Sequence, residues 1–224
     1  MSPRASQMDG PEIADEDCLH SNSEIMFGDR VMEKPPIQVL STPQERLLEA
    51  SRQVALVVGA SLFVALCARV TIPLMPLTPV PLTVQNLGVL LVGLLLGSRR
   101  GFAALALYLM EGALGMPVFS PTGPGGIAQL FGLTGGFLIA YPFVAFVAGY
   151  IFERGTKTFL RAATAGFVAE ILLFAGGLAW LYAFTHSLAK AVYLGLYWFL
   201  AAEVIKIMVA AAIASRWRRE ARRV

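Results

Sequence analysis

Residues 198–217 read WFLAAEVIKIMVAAAIASRW, an apolar stretch interrupted by Glu203 and Lys206 three positions apart. Residues three apart on a helix share a face, so the two charges point in nearly the same direction. A charge at the bilayer centre costs about 2.5–3.5 kcal/mol on insertion scales, so such residues turn to the bundle interior and mark functional sites. A self-neutralising ion pair that only fixes helix register is the plainer alternative. Glu203 accepts from N–H donors, and Lys206 donates to a carboxylate or carbonyl. Together they make a cradle for a polar ligand.

Working outward, the composition decides what the stretch is. Of the 224 residues, 56% are hydrophobic and 15% charged, against about 25% charged in an ordinary soluble domain. Such a chain cannot cover itself with polar surface, which makes it an integral membrane protein. Charge is unevenly distributed. Residues 1–45 hold nine acidic and three basic residues, a balance of −6, and the remainder carries +9. The basic excess sits at the ends of apolar segments, with no basic stripe interleaved with aromatics, which argues against nucleic acid. Cys18 and Cys67 form no disulfide framework and lack metal-ligand spacing, and two histidines in the whole chain argue against a zinc site.

Residues 1–45 are polar, acidic and proline-containing, and they read as a disordered tail. No basic region followed by an apolar one marks a secretory signal, and an organelle transit peptide would be poor in acids. Ser41 or Thr42 as cap, Pro43 and Glu45 signal a helix start. From residue 46 onward a six-helix transmembrane domain is expected, with apolar segments at roughly 50–70, 83–97, 101–116, 135–152, 160–182 and 188–214. The second and third are short and separated by GSRRG, which suggests a tight helical hairpin. With both termini in the cytoplasm, twelve basic residues fall inside and two, Arg69 and Lys190, fall outside. That is the positive-inside pattern. The expected class is an all-α, multi-pass plasma-membrane protein, N-in and C-in.

Two connections carry further information. In TIPLMPLTPVPLTVQ (71–85), Pro73, Pro76, Pro79 and Pro81 enforce extended backbone. Such backbone survives at membrane depth only where protein covers it or where it lines a cavity. Thr83 and Gln85 then stand at the mouth of the second helix, either as a cap and a solvent-facing amide or as ligand contacts. The second connection, residues 111–142, holds eight glycines between Gly112 and Gly136. It lacks the Gly-Lys-Ser/Thr ending of a phosphate-binding loop, so ATP binding is not expected. Its apolar members suggest a packed outer cap. Thr134 reads as an N-cap, with Gly135 and Gly136 opening a helix bare enough for an anion to approach. Glu170, in GFVAEILLF, is a second buried acid, either structural or part of the site. Helix 1 carries small pairs at spacing four, Ala55 with Gly59 and Ser61 with Ala65, which suit close helix packing within the bundle or with a partner.

PVPLTVQNLGVLLVGLLLGSRRG, GALGMPVFSPTGPGG with LTGGFLIA, and EVIKI resemble, in order, the signatures of the BioY family. The resemblance covers roughly residues 50–214. It implies an S component of an energy-coupling factor (ECF) transporter: six transmembrane helices, with biotin bound near the outer face beneath the loops. It implies partners too, a transmembrane coupling subunit and two ATPases, with ATP used only by those partners and small residues of helix 1 (Ala55, Gly59, Ser61, Ala65) at the contact. The chain itself would be no enzyme and would hold no cofactor. On this basis Glu203 is expected to accept from the ureido N–H groups. Lys206 would order Glu203 or donate to a ligand oxygen, Thr83 and Gln85 would add neutral hydrogen bonds, and Phe119 and Phe137 would form apolar walls. Glu203 stands where the family carries Asp, and Gly132-Leu133-Thr134-Gly135-Gly136-Phe137 stands for its Gly-Pro-Thr-Gly-Gly-Tyr. Rival readings are an S component for another vitamin, a biotin transporter without a dedicated ATPase module, an intramembrane enzyme using Glu170, Glu203 and His186, and a structural membrane partner.

Overall fold

A computed structural model describes residues 43–220. The expected tail therefore lies outside the described residues, except that 43–45 already belong to the first helix. That helix, α1 (Pro43–Arg69), begins with proline and has Glu45 in its first turn, a good match to free N–H groups and a positive helix end. The other long helices are α2 (Gln85–Leu96), α3 (Ser98–Ala113), α5 (Gly135–Glu153), α6 (Phe159–Thr185) and α8 (Leu200–Glu220). Shorter pieces are α4 (Gly126–Leu130) and α7 (Leu188–Val192), which runs into a π-helical turn at Tyr193–Tyr197. Two short strands, β1 (Thr71–Ile72) and β2 (Leu82–Thr83), pair antiparallel and close the proline-rich connection at its base.

Beyond Gln85 and Asn86 the helix α2 is apolar all round, and nine of its twelve residues are buried. An all-apolar helix needs cover on every side, and α2 receives it from α1, α3, α5 and α8. The α2–α3 hairpin turns on a single residue, Gly97, at φ +90°. A Cβ there would strike the carboxylate of Glu153. Glu153, the last residue of α5, accepts from the Ser98 amide (3.2 Å) and the Ser98 hydroxyl (2.8 Å). It thereby satisfies groups at the N-terminus of α3, where a carboxylate is favoured. Next to this turn, Gly93, Gly101 and Gly149 bring three backbones together. A Cβ on Gly93 would stand 2.5 Å from the Ala145 carbonyl oxygen, and one on Gly101 3.2 Å from the Gly93 Cα.

Among the described residues, α1, α5 and α6 are each long and apolar enough to cross a membrane. The α7–π-turn piece and α8 meet the test together, bent by 45°. At 1.5 Å per residue, α2 spans about 18 Å and α3 about 24 Å, short of a hydrocarbon core of about 30 Å. The expected continuous last helix is a broken one. The Thr78 hydroxyl donates to the Leu194 carbonyl at 2.6 Å, taking an oxygen that an unbroken helix would use, and a side chain inserted into the ladder is a recognised cause of bending. Gly195 lies in the same turn, where a Cβ would come 2.5 Å from Leu181 Cδ1.

The glycine-rich connection, expected as a packed cap, carries α4 within it and is tied to the bundle by two bonds and braced within itself by a third. Trp180 Nε1 donates to the Gly132 carbonyl (2.9 Å) and Tyr108 to the Val118 carbonyl (3.1 Å), and the Gly125 amide donates to Gln129 Oε1 (3.2 Å). Helix α1 is the least covered of the long helices, with 17% of its apolar window buried.

Candidate functional site

The broken last helix, the two tied-down connections, and helices α2, α5 and α6 surround a chamber. It holds about 590 Å³ of empty space, the part open to the exterior included. The bend supplies one wall. It brings Gly195 and Phe199 to the chamber and starts α8 so that Glu203 and Lys206 line it from the first turns. The start of a helix also favours a carboxylate.

Lys206 Nζ donates to Glu203 Oε1 at 2.6 Å, with the two side chains 12% and 8% exposed. The other oxygen, Glu203 Oε2, accepts from Asn86 Nδ2 at 2.6 Å. That same Asn86 nitrogen donates to Glu170 Oε1 at 2.5 Å. One amide thus bridges carboxyl groups from α6 and α8. Asn86 Oδ1 and Glu170 Oε2 are buried without a partner among the described residues. Among the described residues, Lys206 is the one cation in the wall.

The remaining polar lining comes from Thr83, Gln85, Ser120, Gln129 and Thr134. Gln85 is 2% exposed, and its Nε2 donates to the Tyr108 hydroxyl at 2.8 Å, so it is no solvent-facing amide. Thr83 belongs to β2, and Val84, not Thr83, occupies the cap position of α2. Gln129 spends its Oε1 on Gly125, which leaves its Nε2 to donate. Aromatic and apolar walls come from Phe137, Tyr141, Leu173, Phe174 and Phe199.

Thr83, Gln85, Thr134, Phe137, Glu203 and Lys206 therefore meet around one space, and three expected residues do not line it. Phe119 lies a layer behind, its ring edge-on to Tyr108 at 5.4 Å and packed against Gly112. Gly135 and Gly136 open α5, but the room a side chain would need is filled by the Leu130 carbonyl and Trp180. The Gly135 amide donates to the Gly132 carbonyl at 3.0 Å. Thr134 holds the N-cap position of α5 without a side-chain capping bond.

The sequence reading missed Asn86, Gln129, Tyr141, Phe174 and Phe199. Asn86 and Gln129 did carry a signal, since a polar amide within an apolar context needs a partner or a ligand. Glu170 does not line the chamber and touches it through Asn86. His186 caps the far end of α6, sixteen residues from Glu170, about 24 Å along the helix. That separation rules out a shared catalytic group. Among the described residues no cluster of three or more His, Cys, Asp or Glu side chains could hold a metal.

Comparison with known proteins gives a consistent result. The model of the BioY family matches residues 38–223. A probable biotin transporter BioY of Pyrococcus horikoshii is 37% identical over 166 residues, covering 74% of this chain and 96% of that protein. The biotin transporter BioY of Thermotoga maritima is 35% identical over 162 residues, covering 72% and 95%. Among solved structures, the S-component for biotin from an ECF-type ABC transporter superposes with a TM-score of 0.69 at 22% identity, over 77% of this chain and 93% of that one. The last likeness establishes the S-component fold.

Proposed function

The chain belongs to the BioY family, and from that premise we propose that it is the biotin-binding membrane subunit of an ECF transporter. The observation that carries the reading is the Glu203–Lys206 pair at 2.6 Å in the chamber wall. Biotin offers two ureido N–H donors, a ureido carbonyl, an apolar thioether ring and chain, and a carboxylate. Glu203, with one lone pair on each oxygen still available, accepts from the ureido ring, and Lys206 holds the carboxylate in place. Phe137, Phe174 and Phe199 enclose the apolar ring and chain. The neutral donors Thr83, Thr134 and Gln129 Nε2 serve the ligand carboxylate, in place of the helix opening at Gly135 and Gly136.

The same reading has six crossings with both termini in the cytoplasm. Arg99 and Arg100, exposed at the α2–α3 turn, then lie inside. Arg69 and Lys190, at the chamber end, lie outside. A coupling subunit and two ATPases complete the transporter. On α1, Ala55 and Gly59 are exposed and available to such a partner, whereas Ser61 and Ala65 are buried in this bundle, with Ser61 bonded to Glu111.

Binding of tritiated biotin to the purified protein tests the proposal. Hydrogen bonds to charged groups are worth about 1.5–3 kcal/mol, so Glu203→Gln and Lys206→Ala should each weaken binding by about 10- to 150-fold. Unchanged affinity in both variants would remove the pair from the site. Purification from native membranes should bring down a coupling subunit and two ATPases, and recovery of the chain alone would sink the ATPase assignment.

A further inference from the structure

The Glu203–Lys206 pair does not explain Glu170. This acid sits in α6, is 4% exposed, and does not line the chamber. A carboxyl group at membrane depth is expensive and calls for a specific use. Among the described residues, the side-chain bond it makes is to Asn86 Nδ2, at 2.5 Å. Asn86 is 3% exposed and does line the chamber.

An amide has two N–H donors and one carbonyl acceptor. In Asn86 both donors are taken, one by Glu170 and one by Glu203 at 2.6 Å. Turning the amide over would set Oδ1 against two carboxyl groups. One carboxyl partner alone would leave the second N–H free to compete for the ligand, so it takes both to fix the amide. Oδ1, buried and without a partner among the described residues, is then the one polar atom Asn86 has left for a ligand.

We propose that Glu170 is a positioning residue. By holding one amide hydrogen of Asn86 opposite Glu203, it fixes Asn86 Oδ1 as an acceptor for a ligand N–H group. The wall then presents acceptors from both α2 and α8 and selects for a ligand with adjacent N–H donors. A plain tether between α2 and α6 would hold the helices together without selecting anything. This inference rests on the biotin reading above, and its test separates the two.

The experiment compares the full-length chain binding biotin with its binding two isosteric analogues, each with one ureido N–H replaced by a ring oxygen. A site built to bond an N–H rejects an analogue that lacks it, because the acceptor is left unpaired. The wild type should prefer biotin over each analogue by about 100-fold or more. In Glu170→Leu, biotin should bind about tenfold or more weakly and the preference over one of the two analogues should collapse towards one, because the freed amide can present its N–H to that analogue's oxygen, while Glu203 still rejects the other. Glu170→Gln keeps a carbonyl able to accept the same bond, so its affinity and preference should return to within about threefold of wild type. Asn86→Ala carries the test independently and should lose the preference over the same analogue. Equal weakening of biotin and both analogues in Glu170→Leu, or a full preference over both analogues in Asn86→Ala, overturns the positioning role and leaves the biotin reading standing. A wild-type chain that binds no biotin overturns both.

Discussion

The glycine contact behind the α2–α3 turn makes a sharp prediction. Replacing Gly149 with alanine would put a Cβ 2.5 Å from the Ser98 nitrogen, 2.7 Å from the Gly97 carbonyl carbon and 2.8 Å from the Gly93 carbonyl oxygen. Comfortable contacts between such atoms lie at about 3.5–4.0 Å. All three neighbours are backbone, so no side-chain rotation relieves the overlap, and the hairpin must retreat from α5 by about 1 Å. Overpacking of this kind costs about 1–3 kcal/mol and sometimes more. Alanine returns about 1 kcal/mol of helix propensity over glycine. The net loss is up to about 2 kcal/mol, or up to about 8 °C in Tm for a chain of this length. Gly59→Ala is the matched control: nothing lies within 4 Å of its Cβ, so only the propensity gain of about 0.5–1 kcal/mol remains. Thermal unfolding of both variants in the same detergent, without ligand, should move Tm in opposite directions. A Gly149→Ala protein melting at or above Gly59→Ala would refute the steric argument and with it the account of why α2, α3 and α5 meet there.

Three further predictions follow from individual bonds and from the charge map. Thr78→Val removes a hydroxyl that is 1% exposed and ties the proline-rich connection to Leu194. It should cost about 1–3 kcal/mol and speed biotin release in an isotope-chase experiment, and unchanged Tm and release rate would count against the tie. Ser61→Ala deletes the bond to Glu111 between α1 and α3, 2.5 Å in length. A stability loss of about 0.6–2 kcal/mol is expected, read by thermal unfolding. In a background with Cys18 and Cys67 replaced, cysteines at positions 100 and 190 should react with an impermeant maleimide from opposite sides of the membrane. Labelling of both from one side would break the six-crossing topology.

Much of this architecture is legible in the sequence because hydropathy and charge report directly on a membrane. The spacing of Glu203 and Lys206 already placed both on one face, and the prolines already excluded a helix between α1 and α2. What stayed hidden depends on tertiary contact. The break at 193–199 lies in a run of apolar and aromatic residues containing one glycine, and its cause, the Thr78 hydroxyl, is 116 residues away. Phe174 and Phe199 look like any core phenylalanine until the bend turns them to the chamber. Gly135 and Gly136 illustrate the converse. A glycine pair at a helix start reads equally well as an opening for an anion and as a seat for a neighbouring chain, and here Trp180 and the Leu130 carbonyl take the seat.

The contact of Gly93, Gly101 and Gly149 also bears on how such a protein can change over time. At that end of the bundle, main chain lies against main chain, so almost every substitution adds an atom where none fits, and variation there is closed. The chamber end is walled by side chains on the same helices, where one residue can be exchanged for another without moving a backbone. Ligand preference and structural integrity are thus encoded at opposite ends of shared helices. A new specificity can be sought by altering Phe137, Phe174 or Gln129 while the far end keeps the bundle assembled.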